Sequence, residues 1–156
     1  MNIEKYLVLN KYLLSLLGVS EFKDLQDKLK DVSDINDKDN YLDVLLIYFG
    51  NKINEANQSV IAINKLRHYD DNIEGYLSQI NRHREPIRLK YFQYLAVLFT
   101  EILLDNIKNN QINFIYDLNQ FLKRYKKENK VEEINDFTED DLNKIAFWMA
   151  TGSGKT

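Results

Sequence analysis

Apolar residues recur at spacings of three and four along most of the chain. Tyr6, Leu9, Leu13, Leu16 and Leu17 form the first such stripe, which predicts a helix over residues 3–17 with one buried face. Gly18 is its expected stop, because glycine takes the left-handed cap conformation at little cost. Ser20 is placed to cap the next helix, with Glu21 in its first turn. Phe22, Leu25 and Leu29 would form that helix's buried edge. Residues 31–40 are polar and acidic and read as a loop.

Tyr41 to Phe49 is strongly apolar. Periodicity does not separate helix from strand in so short a run. Helix is favoured, since no other segment of the body offers a strand partner. A further apolar-periodic segment covers 53–66, with Val60, Ile61 and Ile63. Asp70, Asp71 and Asn72 read as a break, after which Ile73, Tyr76, Leu77 and Ile80 resume helical spacing. Pro86 suits the first turn of another helix, where its missing N–H costs nothing. The longest apolar segment is 87–107. Ile87, Tyr91, Tyr94, Leu95, Leu98 and Ile102 cover one face, and Leu89, Phe92, Ala96, Phe99 and Leu103 much of the rest. A helix apolar around most of its girth belongs at the centre of a bundle. Asn109 and Asn110 end it. A final amphipathic helix is expected over 112–125, with Ile115, Leu118, Phe121 and Leu122 facing in. Lys123, Arg124, Lys126 and Lys127 suit the carboxyl end of its dipole.

Residues 128–136 look like a polar connector, and Thr138 and Asp141 have the spacing of a capping pair. Ile145-Ala146-Phe147-Trp148-Met149 is then a continuous apolar run directly before a glycine-rich end. A parallel strand buried on both faces has this character. The pattern therefore predicts an all-α bundle of about six helices over 1–130, a connector over 131–144 and the truncated first strand and loop of a second domain over 145–156.

Composition adds limits more than positive signals. The chain has 156 residues, one domain's worth, with 44% hydrophobic and 29% charged content, ordinary for a globular protein. Its net charge of −3 does not suggest a dedicated nucleic-acid clamp. The absence of cysteine removes disulfides and thiolate chemistry. No segment offers the roughly 20 apolar residues a membrane span requires, and the N-terminus does not read as an export signal. A cytoplasmic location is the expectation.

The chemistry concentrates in Ala150-Thr151-Gly152-Ser153-Gly154-Lys155-Thr156. Two glycines let the backbone curl so that several N–H groups point at one set of phosphate oxygens. Lys155 would reach the outer phosphates, and the Thr156 hydroxyl would ligate Mg²⁺. Gly152, Ser153, Gly154, Lys155 and Thr156 are thus the expected nucleotide-binding residues, with Lys155 and Thr156 in the catalytic roles. Met149 to Thr156 resembles the first helicase motif of superfamily 2. The likeness is to the restriction-type DEAD/DEAH branch, which includes the motor subunits of type I and type III restriction enzymes. Leu89-Lys90-Tyr91-Phe92-Gln93-Tyr94-Leu95-Ala96 is also similar to the helical region ahead of the motor in some bacterial helicase-like defence proteins.

That resemblance implies a RecA-like ATPase domain beginning at 145. It implies a parent protein that hydrolyses ATP with Mg²⁺, moves on DNA, and serves restriction–modification or antiviral defence. The present residues would be its helical N-terminal module, inactive alone for want of the acidic Mg²⁺ partner. The aromatic-plus-glutamine element that reads adenine in that family is not clear between Phe137 and Asn143. The alternative is a protein–protein interaction module of a P-loop NTPase of another class, with no nucleic-acid role of its own.

Other candidates are weaker. Arg82, His83, Arg84, Arg88 and Lys90 form a basic cluster that could meet nucleic-acid phosphates or could be a solvated helix junction. The patch 123–130 has the same ambiguity. His68 and His83 lack metal-binding spacing. Asp70-Asp71, Glu132-Glu133 and Asp140-Asp141 are poor catalytic pairs, because adjacent helical side chains do not face one another. Tyr91, Phe92, Tyr94 and Phe99 fall at core spacings and not on a base-stacking platform. DNA and a possible partner subunit are the expected partners, with the oligomeric state left open.

Overall fold

The computed structural model describes residues 6–32, 40–56, 61–131 and 133–144. Among these, seven α-helices follow one another: α1 (Val8–Leu16), α2 (Phe22–Leu29), α3 (Tyr41–Ala56), α4 (Ile63–Ile80), α5 (Tyr91–Asn109), α6 (Gln111–Asn129) and α7 (Glu139–Leu142), with a 3₁₀ turn at Asn81–His83. The described residues contain no strand and no sheet. The expected fold class is corrected accordingly, from a bundle leading into a RecA-like α/β domain to a helical bundle. The strand expected at 145–149 and the loop at 150–156 lie outside the described residues.

Helix α5 packs against α2, α4 and α6, while α3 packs against α1, α2 and α4. One contiguous core results. Leu95, Leu98, Ile102 and Leu103 of α5 share it with Leu16 and Leu17, Leu25 and Leu29, Leu42 and Leu45, Leu66 and Ile73, and Phe114 and Leu118. Each buried side chain of this size contributes about 1.5–3 kcal/mol relative to exposure. Helix α1 is fastened to α6 by aromatic contact: the Tyr12 ring lies edge-on to Phe114 at 5.6 Å and tilted to Phe121 at 5.5 Å. Such pairs add about 0.5–1.5 kcal/mol beyond their burial.

The ends of the elements follow local chemistry. Gly18 ends α1 at φ +72°, and the Val19 N–H returns to the Leu14 carbonyl at 3.2 Å. Gly18 is also needed for space, since a Cβ there would lie 2.4 Å from Lys52 Cβ of α3. The N-cap of α2 is Glu21 and not Ser20. Its N–H donates to Asp24 at 3.4 Å. Thr138 and Asp141 do form a capping pair on α7, with Thr138 N–H to Asp141 Oδ2 at 2.9 Å.

Three expected boundaries move. The segment 53–66 is not one helix: α3 runs to Ala56, and Ile63 opens α4. Asp70-Asp71-Asn72 is no break, because α4 runs through it with Asp70 buried. Pro86 is not in a helix. It lies in an irregular stretch, and α5 begins five residues later at Tyr91. The reason is Asn81, whose Nδ2 donates to the Ile87 carbonyl at 3.1 Å and whose Oδ1 accepts the Ile87 N–H at 2.9 Å. Both backbone groups of Ile87 are satisfied by one side chain, so the chain has no need of a helical turn there.

Candidate interaction surfaces

Several polar side chains along the α4–α5 seam are engaged with one another. Asp70 is 7% exposed. Its carboxylate accepts the Tyr94 hydroxyl at 2.6 Å and the Asn40 amide at 3.1 Å. Asn40 in turn accepts the Asp43 N–H at 2.7 Å, which caps α3. One buried carboxylate thereby ties α3, α4 and α5 together. Burial pushes the Asp70 pKa up, with the charges of Asp71 and Asp43 adding to it, against the Tyr94 hydrogen bond and Arg67. Burial, and then the Asp70 bond, push the Tyr94 hydroxyl far above the ordinary tyrosine range.

Along the same seam, Glu101 accepts Asn72 Nδ2 at 2.7 Å and the Tyr76 hydroxyl at 2.9 Å. One turn further, Asp105 accepts the Tyr69 hydroxyl at 2.5 Å, Lys65 Nζ at 2.9 Å and Asn109 Nδ2 at 2.7 Å. Burial alone would raise the Asp105 pKa. The hydrogen bonds from Tyr69, Lys65 and Asn109 outweigh it and bring the value down to about 2. A carboxylate so thoroughly paired is not poised to take a proton near neutrality. These groups set helix register and do not converge on a common point where a substrate could react.

The basic cluster is surface. Arg82, His83, Arg84, Arg88 and Lys90 are exposed around the turn between α4 and α5, with Glu85 among them. His68 and His83 take part in no metal-binding group, and among the described residues there is no cluster of three or more His, Cys, Asp or Glu side chains suited to a metal ion. Of the aromatics, Tyr94 and Phe99 are in the core, while Tyr91 and Phe92 are half-buried and pack edge to face at 5.4 Å. Asp140 and Asp141 lie in the first turn of α7, where carboxylates suit the helix dipole. The nucleotide-binding residues Gly152, Ser153, Gly154, Lys155 and Thr156 are outside the described residues.

A feature that the sequence reading missed is the outer face of α6. Its core face is Phe114, Leu118 and Leu122, all fully buried. Opposite them, one helical turn apart, stand Ile112 at 78% exposure and Tyr116 at 63%. The same stripe continues through Lys123 and Lys127, both exposed. The spacing 112, 116, 123, 127 keeps within about 60° of one helix meridian. The inward spacing of Ile115, Leu118, Phe121 and Leu122 was the signal that could have revealed it. No helix of the described residues is long and apolar enough to cross a membrane.

Comparison of the chain with family models, with curated proteins and with solved structures finds no match. What corrects the helicase assignment is that the described residues form a helical bundle without strand or sheet and hold no cluster suited to a metal ion. The described residues do not form part of a RecA-like motor. They offer no support for an ATP hydrolase, for ATP and Mg²⁺ as cofactors, or for a DNA-translocating role in restriction or antiviral defence. A helical module fits them better.

Proposed function

We propose that this helical bundle is a non-catalytic protein–protein interaction module. The observation that carries the reading is the outward pair Ile112 and Tyr116 on α6. A large aliphatic and an aromatic side chain, side by side on the face turned away from the core, leave apolar surface in water without contributing to the fold. Aromatic side chains in particular are enriched at protein interfaces. Single exposed apolar residues are common; a pair in register on one helix, continued by two cations, is a contact surface of the helix-face kind.

The test is site-specific photo-crosslinking in cells. A photoreactive amino acid replaces Tyr116 in the full chain, and a control replaces Glu74 on the exposed side of α4. Position 116 should yield discrete protein adducts that Ile112→Asp suppresses, and position 74 should not. Identical adduct patterns from both positions, or none from 116, would overturn the proposal. Circular dichroism of each variant should match the parent, since neither site supports the core.

A further inference from the structure

The outer stripe of α6 changes character along its length, and that gradient specifies a partner. Ile112 and Tyr116 occupy its amino-terminal half, and Lys123 and Lys127 its carboxyl-terminal half, over ~22 Å of helix. The half-buried Asn119 and Gln120 lie between them, with Asn119 holding the Phe137 backbone on the flank of the stripe. The acidic residues of α6, Asp117 and Glu128, lie off this meridian, toward the flank. Neither lysine is held in an ion pair among the described residues.

The geometry points to an acidic amphipathic helix of a partner protein as the occupant of this stripe. Its apolar residues would cover Ile112 and Tyr116, and its carboxylates would meet Lys123 and Lys127. The inference rests on the interaction-module reading and names the chemistry of the partner. The two lysines select an anionic occupant, and the apolar residues of α6 decide which kind. A nucleic acid would gain nothing from a 78%-exposed isoleucine. An anionic membrane surface takes a helix whose broad apolar face is free to insert, whereas the broad apolar face of α6 is spent on Phe114, Leu118 and Leu122 in the core. A helix of about 15 residues would match the length of the stripe. Opposite charges across such a contact supply selectivity and a salt-dependent association rate more than raw affinity.

Three synthetic helical peptides of equal leucine content test it, with the flanking positions occupied by Glu, by Lys or by Ser. Fluorescence anisotropy against the full chain should show the Glu peptide binding about tenfold tighter than the other two at low salt, with the gap closing at high salt. Lys123→Glu/Lys127→Glu should reverse the order, so that the Lys peptide binds best. Ile112→Asp/Tyr116→Asp should abolish binding of all three. Equal affinities that ignore the lysine reversal would overturn the acidic partner while leaving the apolar contact intact. Failure of every peptide, or binding to phosphatidylserine vesicles in preference to the Glu peptide, would also overturn it. The broader interaction reading is judged separately, by the crosslinking at position 116.

Discussion

Asn119 of α6 and the backbone of Phe137 exchange two hydrogen bonds. The Asn119 Nδ2 donates to the Phe137 carbonyl at 3.0 Å, and the Phe137 N–H donates to Asn119 Oδ1 at 2.8 Å. A side-chain amide thus satisfies both backbone groups of Phe137 and holds the segment after α6 against that helix. The segment's other anchors are Val131 and Leu142, at 5% and 2% exposure.

Asn119→Ala should therefore cost about 1–3 kcal/mol, because both backbone groups of Phe137 lose their partner. Urea unfolding measures the loss. Native-state hydrogen exchange should localise it, with the Phe137 amide losing protection well before the amides of α5. Asn119→Asp keeps the acceptor and loses the donor, so Phe137 should keep much of its amide protection.

Gly18→Ala combines two penalties. The left-handed φ of +72° disfavours a side chain, and the new Cβ would meet Lys52 Cβ at 2.4 Å. A destabilisation of roughly 2–4 kcal/mol is expected, since one part is conformational and the other forces α1 and α3 apart. A shift of the thermal midpoint by less than a degree would refute this account of the α1–α3 contact.

Lys130 offers the opposite case. It is the C-cap of α6 at φ +53° and ψ +45°, a left-handed conformation held by a residue with a side chain. Lys130→Gly should stabilise the domain by about 0.5 kcal/mol. Relief of the left-handed penalty outweighs the extra freedom that glycine brings to the unfolded chain. Denaturant midpoints of the two proteins decide the sign.

Asp70 gives stability a pH slope of unusual direction. Its folded pKa lies above the ordinary 3.8, so between those two values the folded state binds more protons than the unfolded one. Stability contributed by this group is complete below 3.8 and declines as pH rises through the raised value. Asp70→Asn should remove that decline, seen in unfolding free energies measured across acid to neutral pH. Asp70→Ala should instead cost about 1–3 kcal/mol, because it orphans the buried Tyr94 hydroxyl.

Asp105 works in the other sense. Its pKa is lowered to about 2 from the ordinary 3.8. Its contribution is present above 3.8 and is lost as pH falls through about 2. Asp105→Asn should be less stable than the parent at neutral pH, and the gap should close in strong acid. A gap independent of pH would mean that the carboxylate charge is not what Tyr69 and Lys65 stabilise.

Much of the helical architecture was legible in the apolar spacing, in Gly18 and in the Thr138–Asp141 capping pair. These depend on residues within one or two turns of each other, and local sequence contains all that they need. The errors share one cause. Asp70 reads as a break in isolation, because a lone acid in a helix interior is costly. Its partners are Asn40, thirty residues earlier, and Tyr94, twenty-four residues later. Pro86 reads as a helix start until Asn81 is seen to claim both backbone groups of Ile87. The glycine-rich end invited a functional reading from a motif, which the helical body and the comparisons do not support.

By itself, the sequence determined that the body is helical and where most of its helices end, because propensity, periodicity and capping act over a few residues. It also marked Ile115, Leu118, Phe121 and Leu122 as the inward side of α6, where Leu118 and Leu122 are fully buried and Ile115 and Phe121 pack against the core; only the tertiary structure decided how its first turns divide between core and solvent. Ile112, Phe114, Ile115 and Tyr116 put apolar groups on nearly every side of its first turns. The inward stripe read from Ile115, Leu118, Phe121 and Leu122 does not include Phe114, which is fully buried. The Tyr12 ring, more than a hundred residues away, makes the choice by packing on Phe114 at 5.6 Å. That contact leaves Ile112 and Tyr116 in solvent, and so creates the surface on which the proposed function rests.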